Sequence, residues 1–175
     1  MAGTFRFSFG PWNIHEGNDP FGPTVREPLP FAEKLKLYAG LGFEGVQFHD
    51  DDAVPELSSM TAPEVVEEAA EVRRVLDGEG LTAEFVAPRL WEDVRGVDVA
   101  YTSNDPACRQ WALDRSRLAI DIANELGTKL IVLWLAREGT YIRESKDSKV
   151  AVDRIVEAVN DMLDYDPEVR IAVEP

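Results

Sequence analysis

A second cysteine is missing from this chain: Cys108 stands alone, so no disulfide can close within it, as suits a reducing compartment. Cations are scarce as well. The 18 Lys and Arg face 33 Asp and Glu, a formal charge of −15, which removes the basic face that nucleic acid or an anionic membrane requires. No run of about 18 apolar residues could span a bilayer, and no basic, apolar, small-residue leader opens the sequence. These absences predict a soluble, cytoplasmic protein whose ligands are small neutral or cationic molecules and divalent metals. Histidine is nearly absent too, with only His15 and His49.

What is present is a core's worth of apolar residues. At 175 residues and 45% hydrophobic the chain is long enough for one globular domain that buries about two thirds of its surface. No low-complexity linker divides it. Five short apolar runs, at 5–9, 45–48, 82–87, 129–134 and 170–173, alternate with four longer segments of helical period. That alternation predicts parallel strands joined by crossover helices.

The helices carry their own punctuation. The first, over 30–41, has Phe31, Leu35, Tyr38 and Ala39 as its apolar stripe. The second opens at Thr61-Ala62-Pro63-Glu64 and stops at Gly78 and Gly80. The third has Asp105 as N-cap, Pro106 at the first helical position and Gly127 at its end. The fourth, near 148–165, repeats the pattern with Val152, Ile155, Val156, Val159, Met162 and Leu163 before Asp166-Pro167 breaks it. The order β-α-β-α-β-α-β-α-β reaches its last strand at Val173-Glu174-Pro175, which reads as the opening part of a barrel rather than a closed one.

In such a barrel the chemistry sits at the carboxyl ends of the strands, and polar residues gather there in this chain. Phe48-His49-Asp50-Asp51-Asp52 ends the second run. A tight turn would let the Asp52 carboxylate accept the imidazole N–H and set its tautomer, leaving the other ring nitrogen for a ligand. The same residues also fit a histidine closing a strand beside solvated aspartates. Three consecutive carboxylates resemble a metal site, but neighbours in sequence point apart, so at most one or two could share an ion.

Glu174 ends the fifth run, where a carboxylate suits a hard divalent cation; an exposed, inert glutamate fits that position equally. Trp12, Trp91 and Trp134 follow or end strands one, three and four, where indole faces could pack on a sugar's C–H faces. Plain core filling is the other reading of each. Arg137-Glu138 offers either a charge-assisted brace for its loop or a solvated surface pair.

These blocks, with Thr102-Ser103-Asn104-Asp105, Val132-Leu133-Trp134, Arg137-Glu138-Gly139, Phe7-Ser8-Phe9-Gly10 and Asp19-Pro20-Phe21-Gly22, occur in an order and spacing that resembles the shorter, actinobacterial type of xylose isomerase. The resemblance covers essentially the whole chain. It implies a TIM (β/α)8 barrel, of which residues 1–175 form the N-terminal part through β5, with the remaining metal ligands and a family lysine lying beyond Pro175. It also implies an aldose-ketose isomerase of the D-xylose to D-xylulose type, working by a metal-assisted hydride shift with two Mg2+ or Mn2+ ions per complete site.

By the same resemblance, His49 binds the ring oxygen and assists ring opening, and Asp52 orients it. Trp12, Trp91 and Trp134 form water-excluding walls, Glu174 is a metal ligand, and Phe21 reaches into a neighbouring subunit of a dimer or tetramer. The chain on its own is expected to be inactive without its C-terminal half. A sugar epimerase of the same superfamily and a non-catalytic half barrel are the alternative readings.

The sequence also departs from the pattern. Loop 13–18 is short and lacks a second Trp, and Trp91 replaces a Phe. Ala87-Pro88-Arg89 stands where Thr-Thr-Asn is usual, and Leu135-Ala136 where two glycines are usual.

Overall fold

The computed structural model describes residues 5–13, 25–27, 29–139 and 142–174. Its strands are β1 (Ser8–Phe9), β2 (Gly45–His49), β3 (Thr82–Ala87), β4 (Leu130–Trp134) and β5 (Arg170–Glu174). They form one sheet in the order β1-β2-β3-β4-β5, every neighbouring pair parallel. A doubly wound sheet reverses its strand order partway. Here the order never reverses, so the helices all return on one side, as in the opening five units of a (β/α)8 barrel.

Those helices are α1 (Phe31–Gly40), α2 (Asp50–Ala53), α3 (Ala62–Glu79), α4 (Pro106–Leu126) and α5 (Ser148–Tyr165). The signals that start and stop them are local. Asp105 Oδ1 accepts from the Ala107 amide at 2.9 Å, and Thr61 with Glu64 closes a capping box at the head of α3. Gly80 and Gly127 end α3 and α4 with φ of +70° and +81°, a left-handed turn in which a Cβ is penalised.

One face of the sheet is covered and the other is open. Val46, Phe48, Val86, Ile131 and Leu133 are buried and pack against Leu35 and Tyr38 of α1, Val65, Ala69 and Leu76 of α3, Ala119, Ile122 and Leu126 of α4, and Met162 of α5. Each such side chain contributes about 1.5–3 kcal/mol on leaving water. The alternate residues, Gln47, His49, Val132 and Trp134, point to the other, less covered face. There Gln47 Nε2 donates to Ser8 Oγ and to Glu84 Oε2, each at 3.0 Å.

The structure departs from the sequence reading in two places. The first strand holds only two paired residues rather than the five of run 5–9, because among the described strands it pairs with β2 alone and Phe5 and Phe7 are exposed. Of the stripe assigned to α5, only Met162 is fully buried; Val152, Val156 and Leu163 are exposed, since among the described elements α5 packs chiefly on α4.

Candidate functional site

Trp12 lies in the 3-10 turn Pro11–Asn13 just after β1, His49 closes β2, Trp91 follows β3, Trp134 closes β4 and Glu174 closes β5. All therefore occupy the carboxyl end of the sheet. The first four touch in file. The Trp12 and His49 ring centroids are 4.4 Å apart, His49 and Trp91 5.2 Å, and Trp91 and Trp134 4.6 Å, the last two contacts near edge-to-face, the arrangement that ring quadrupoles favour. Glu174 is exposed, and it pairs in register with Trp134. Register partners in a parallel pair share a face, so its carboxylate extends the same wall. Phe21 and His15 lie outside the described residues.

Asp52 stands beside His49 through the geometry of α2. Its Oδ2 accepts the His49 backbone amide at 2.9 Å and lies 3.2 Å from His49 Nδ1. Burial would raise the Asp52 carboxyl, but the His49 contacts and the Arg89 guanidinium outweigh it and hold the group below the ordinary aspartate value. Asp51 behaves oppositely. Its burial and the neighbouring Asp50 charge raise it, against Arg89 and Arg115.

Asp50 is the anchor of the block. It is fully buried, and it takes Arg115 Nε and Nη2 at 2.7 and 2.9 Å and the Arg89 amide at 3.0 Å. Arg115 also reaches Asp51 at 3.2 Å. The Asp trio is thus neither a solvated run nor a cage for an ion, because all three carboxylates are turned to guanidinium groups. Arg89 inserts Nη2 between His49 Nδ1 and Asp52 Oδ1, the latter at 3.2 Å. Sequence reasoning had not assigned these roles to Arg89 and Arg115, although Arg89 was visible as a residue out of pattern.

The wall bearing Trp91 is a long loop, 88–105, and its shape is imposed from outside. Glu138 accepts the amides of Ala100, Tyr101 and Thr102 at 3.0, 2.8 and 2.9 Å and also the Thr102 hydroxyl. The brace suggested by Arg137-Glu138 is therefore real, but it runs from the carboxylate to backbone rather than to Arg137. Just before those amides Val99 sits buried at φ +70°, a conformation that β-branched residues avoid. Gly96 is required by contact, as a Cβ there would lie 2.2 Å from the Leu90 carbonyl oxygen. Arg95 stacks 4.5 Å above the Trp111 ring and bonds Asp93.

That Arg95 hydrogen bond, against some desolvation, lowers the Asp93 carboxyl to about 2. A depressed carboxylate adds stability that is complete above its unfolded value, about 3.9, and is lost as pH falls through the folded value. Asp93 therefore makes the fold acid-sensitive between about pH 4 and 2, the lowered Asp52 acts in the same direction, and protonation of the raised Asp51 acts in the opposite one. Tryptophan fluorescence during acid titration is expected to show the loss in that window. Asp93→Asn should flatten its lower end.

Glu174 offers a hard, exposed carboxylate oxygen of the kind Mg2+ or Mn2+ takes. Among the described residues no three His, Cys, Asp or Glu side chains are gathered for an ion. The residues present thus fit one ligand position, not a shell. Among them, no helix is long and apolar enough to cross a membrane.

Comparison with known proteins accords with this geometry. The family model of the xylose isomerase-like TIM barrel matches residues 35–175. Xylose isomerase of Thermus thermophilus is 35% identical over 97% of this chain and 45% of its own length. The chain thus spans about half of that relative. Among solved structures, 3-keto-D-glucoside 4-epimerase from E. coli matches with a TM-score of 0.63 at 14% identity, over 92% of this chain and 55% of its own. A xylose isomerase-like TIM barrel protein from Mycobacterium smegmatis, in complex with magnesium, matches with a TM-score of 0.56 at 18% identity, over 97% and 55%. At such identities the structures speak for the fold. From the family model and the Thermus relative together, this chain belongs to the xylose isomerase-like TIM barrel family.

Proposed function

We propose that the chain forms the first five strands of a metal-dependent aldose-ketose isomerase of the D-xylose to D-xylulose type, active only when the rest of the barrel is present. One observation carries the reading. An unbroken file of Trp12, His49, Trp91 and Trp134, continued by Glu174 on the next strand, lines the carboxyl ends of all five strands. The 35% identity to the Thermus enzyme supports it.

In this reading His49 contacts the ring oxygen of a cyclic sugar and assists its opening, with α2 holding the imidazole in place. The indoles pack on the sugar's C–H faces and exclude water, which strengthens every polar contact inside. A divalent ion, Mg2+ or Mn2+, bound with Glu174 as one ligand, would polarise the sugar oxygens. The complete protein would be a homo-oligomer, dimer or tetramer, with Phe21 contributing to a neighbour's pocket.

The test is an assay of the longest reading frame that contains this chain, with Mg2+ or Mn2+ and an aldopentose tritiated at C2. Isomerisation that keeps the label on the sugar is the expected result. Wash-out of tritium into solvent would mark proton transfer and favour the epimerase reading instead. His49→Asn is expected to slow turnover of the cyclic sugar about 10²–10⁴-fold, the usual range for a positioned proton donor. No turnover of any sugar would leave only a binding barrel.

A further inference from the structure

We propose that Arg89, rather than Asp52, sets the protonation pattern of the His49 ring, so that Nδ1 is an acceptor and Nε2–H is the donor offered to the pocket. A guanidinium carries five N–H donors and no acceptor. Arg89 Nη2 lies 2.5 Å from His49 Nδ1, and two N–H groups cannot face each other at hydrogen-bond distance. The ring nitrogen there must present its lone pair, which leaves the hydrogen of the neutral imidazole on Nε2.

Asp52 competes for the same atom and is poorly placed to win. Its Oδ2 is 3.2 Å from Nδ1 and already accepts the His49 backbone amide at 2.9 Å, while its Oδ1 takes Arg89 Nη2 at 3.2 Å. Asp52 is thus satisfied without a ring hydrogen. Among the described residues, the charged groups in contact with the ring are Asp52 and Arg89, and the aromatic Trp12 and Trp91 lie beside it. Arg89 is itself held, with its side chain 17% exposed, by Asp51 at 3.3 Å and Glu92 at 3.6 Å. It is a positioning residue, and it occupies a place in the loop after β3 where the sequence departs from the family pattern.

The chemical consequence rests on the isomerase reading; the ring state itself does not. With Nε2 protonated, a neutral His49 can only donate to a ligand. It recognises an acceptor, such as a sugar ring oxygen, and cannot accept a substrate hydroxyl proton as a base.

The experiment uses the whole chain with 15N-labelled histidine rings, at a pH well above the ordinary histidine value of about 6.5. Only two histidines are present, so the signals that remain in His15→Gln are those of His49. Long-range 1H–15N spectra should show His49 with its hydrogen on Nε2. A scalar coupling across the Arg89 Nη2 to His49 Nδ1 hydrogen bond should be visible in the unaltered protein, so the answer does not depend on a variant folding.

Arg89→Met should move the hydrogen to Nδ1, facing Asp52, with loss of the Nε2–H signal. Arg89→Lys, which restores a donor, should keep it on Nε2, and Asp52→Asn should leave it there. Hydrogen on Nδ1 in the unaltered chain, a doubly protonated ring at that pH, or an unchanged ring in folded Arg89→Met would each overturn the proposal. An enzyme that isomerises sugar yet shows Nδ1–H sinks this inference alone; Nε2–H with no sugar chemistry sinks only the proposed function.

Discussion

Replacing Arg115 with methionine is expected to destabilise the fold by about 3–5 kcal/mol, the usual cost of leaving one partner of a buried ion pair without the other. The Arg115 side chain is 8% exposed and that of Asp50 is 0% exposed, and they are joined by two hydrogen bonds of 2.7 and 2.9 Å. With Arg115 gone, Asp50 would keep, among the described residues, the amides of Asp51 and Arg89, at 3.0 Å each. Against a total stability of about 5–15 kcal/mol the loss is large. Urea unfolding followed by tryptophan fluorescence measures it.

The double variant Asp50→Ala with Arg115→Met removes both charges and should recover part of the loss, giving a coupling of about 1–3 kcal/mol. Additive effects would show that the pair is not coupled. Because Asp50 follows His49 directly and opens α2, the single variant should also disturb the His49 ring. That links a core interaction to the mouth of the sheet.

Glu138→Ala is expected to release the wall that carries Trp91. Three backbone amides and one hydroxyl lose a charged acceptor. Hydrogen bonds to charged groups contribute about 1.5–3 kcal/mol each, but water can reach this partly buried site and replace some of them, so about 2–4 kcal/mol is expected overall. Val99, held at φ +70°, would be free to relax and pull Ala100–Thr102 apart. At tenfold per 1.4 kcal/mol, exchange of the Ala100, Tyr101 and Thr102 amides should quicken roughly 30- to 700-fold. Protection that survives the substitution would mean that the loop holds its own shape.

Both variants act through contacts between residues far apart in sequence, and there the sequence is least readable. The periodic elements were another matter. Asp105-Pro106 and Gly127 bracket α4 as observed, Thr61 and Glu64 open α3, and the apolar runs at 45–48, 82–87, 129–134 and 170–173 became β2 to β5. Such signals are local: a cap, a left-handed glycine or a run of apolar side chains acts on its own few residues. The parallel order followed from their alternation. The placement of Trp12, His49, Trp91, Trp134 and Glu174 at one end followed from their positions at strand ends.

What the residues could not say was which partner each charge would find. Asp50 meets Arg115 65 positions later, Arg89 meets His49 across 40, and Glu138 caps amides 36 to 38 positions before it. Nor could β1's shortness or the exposure of Val152 and Val156 be read from hydropathy, since both depend on what packs alongside. Element type, order and the end of the sheet where side chains gather are written in short-range pattern. The ion pairs, the bracing of loop 88–105 and the hydrogen-bonding state of His49 arise only when the sheet closes distances of tens of residues, because a charge takes its partner from space rather than from sequence.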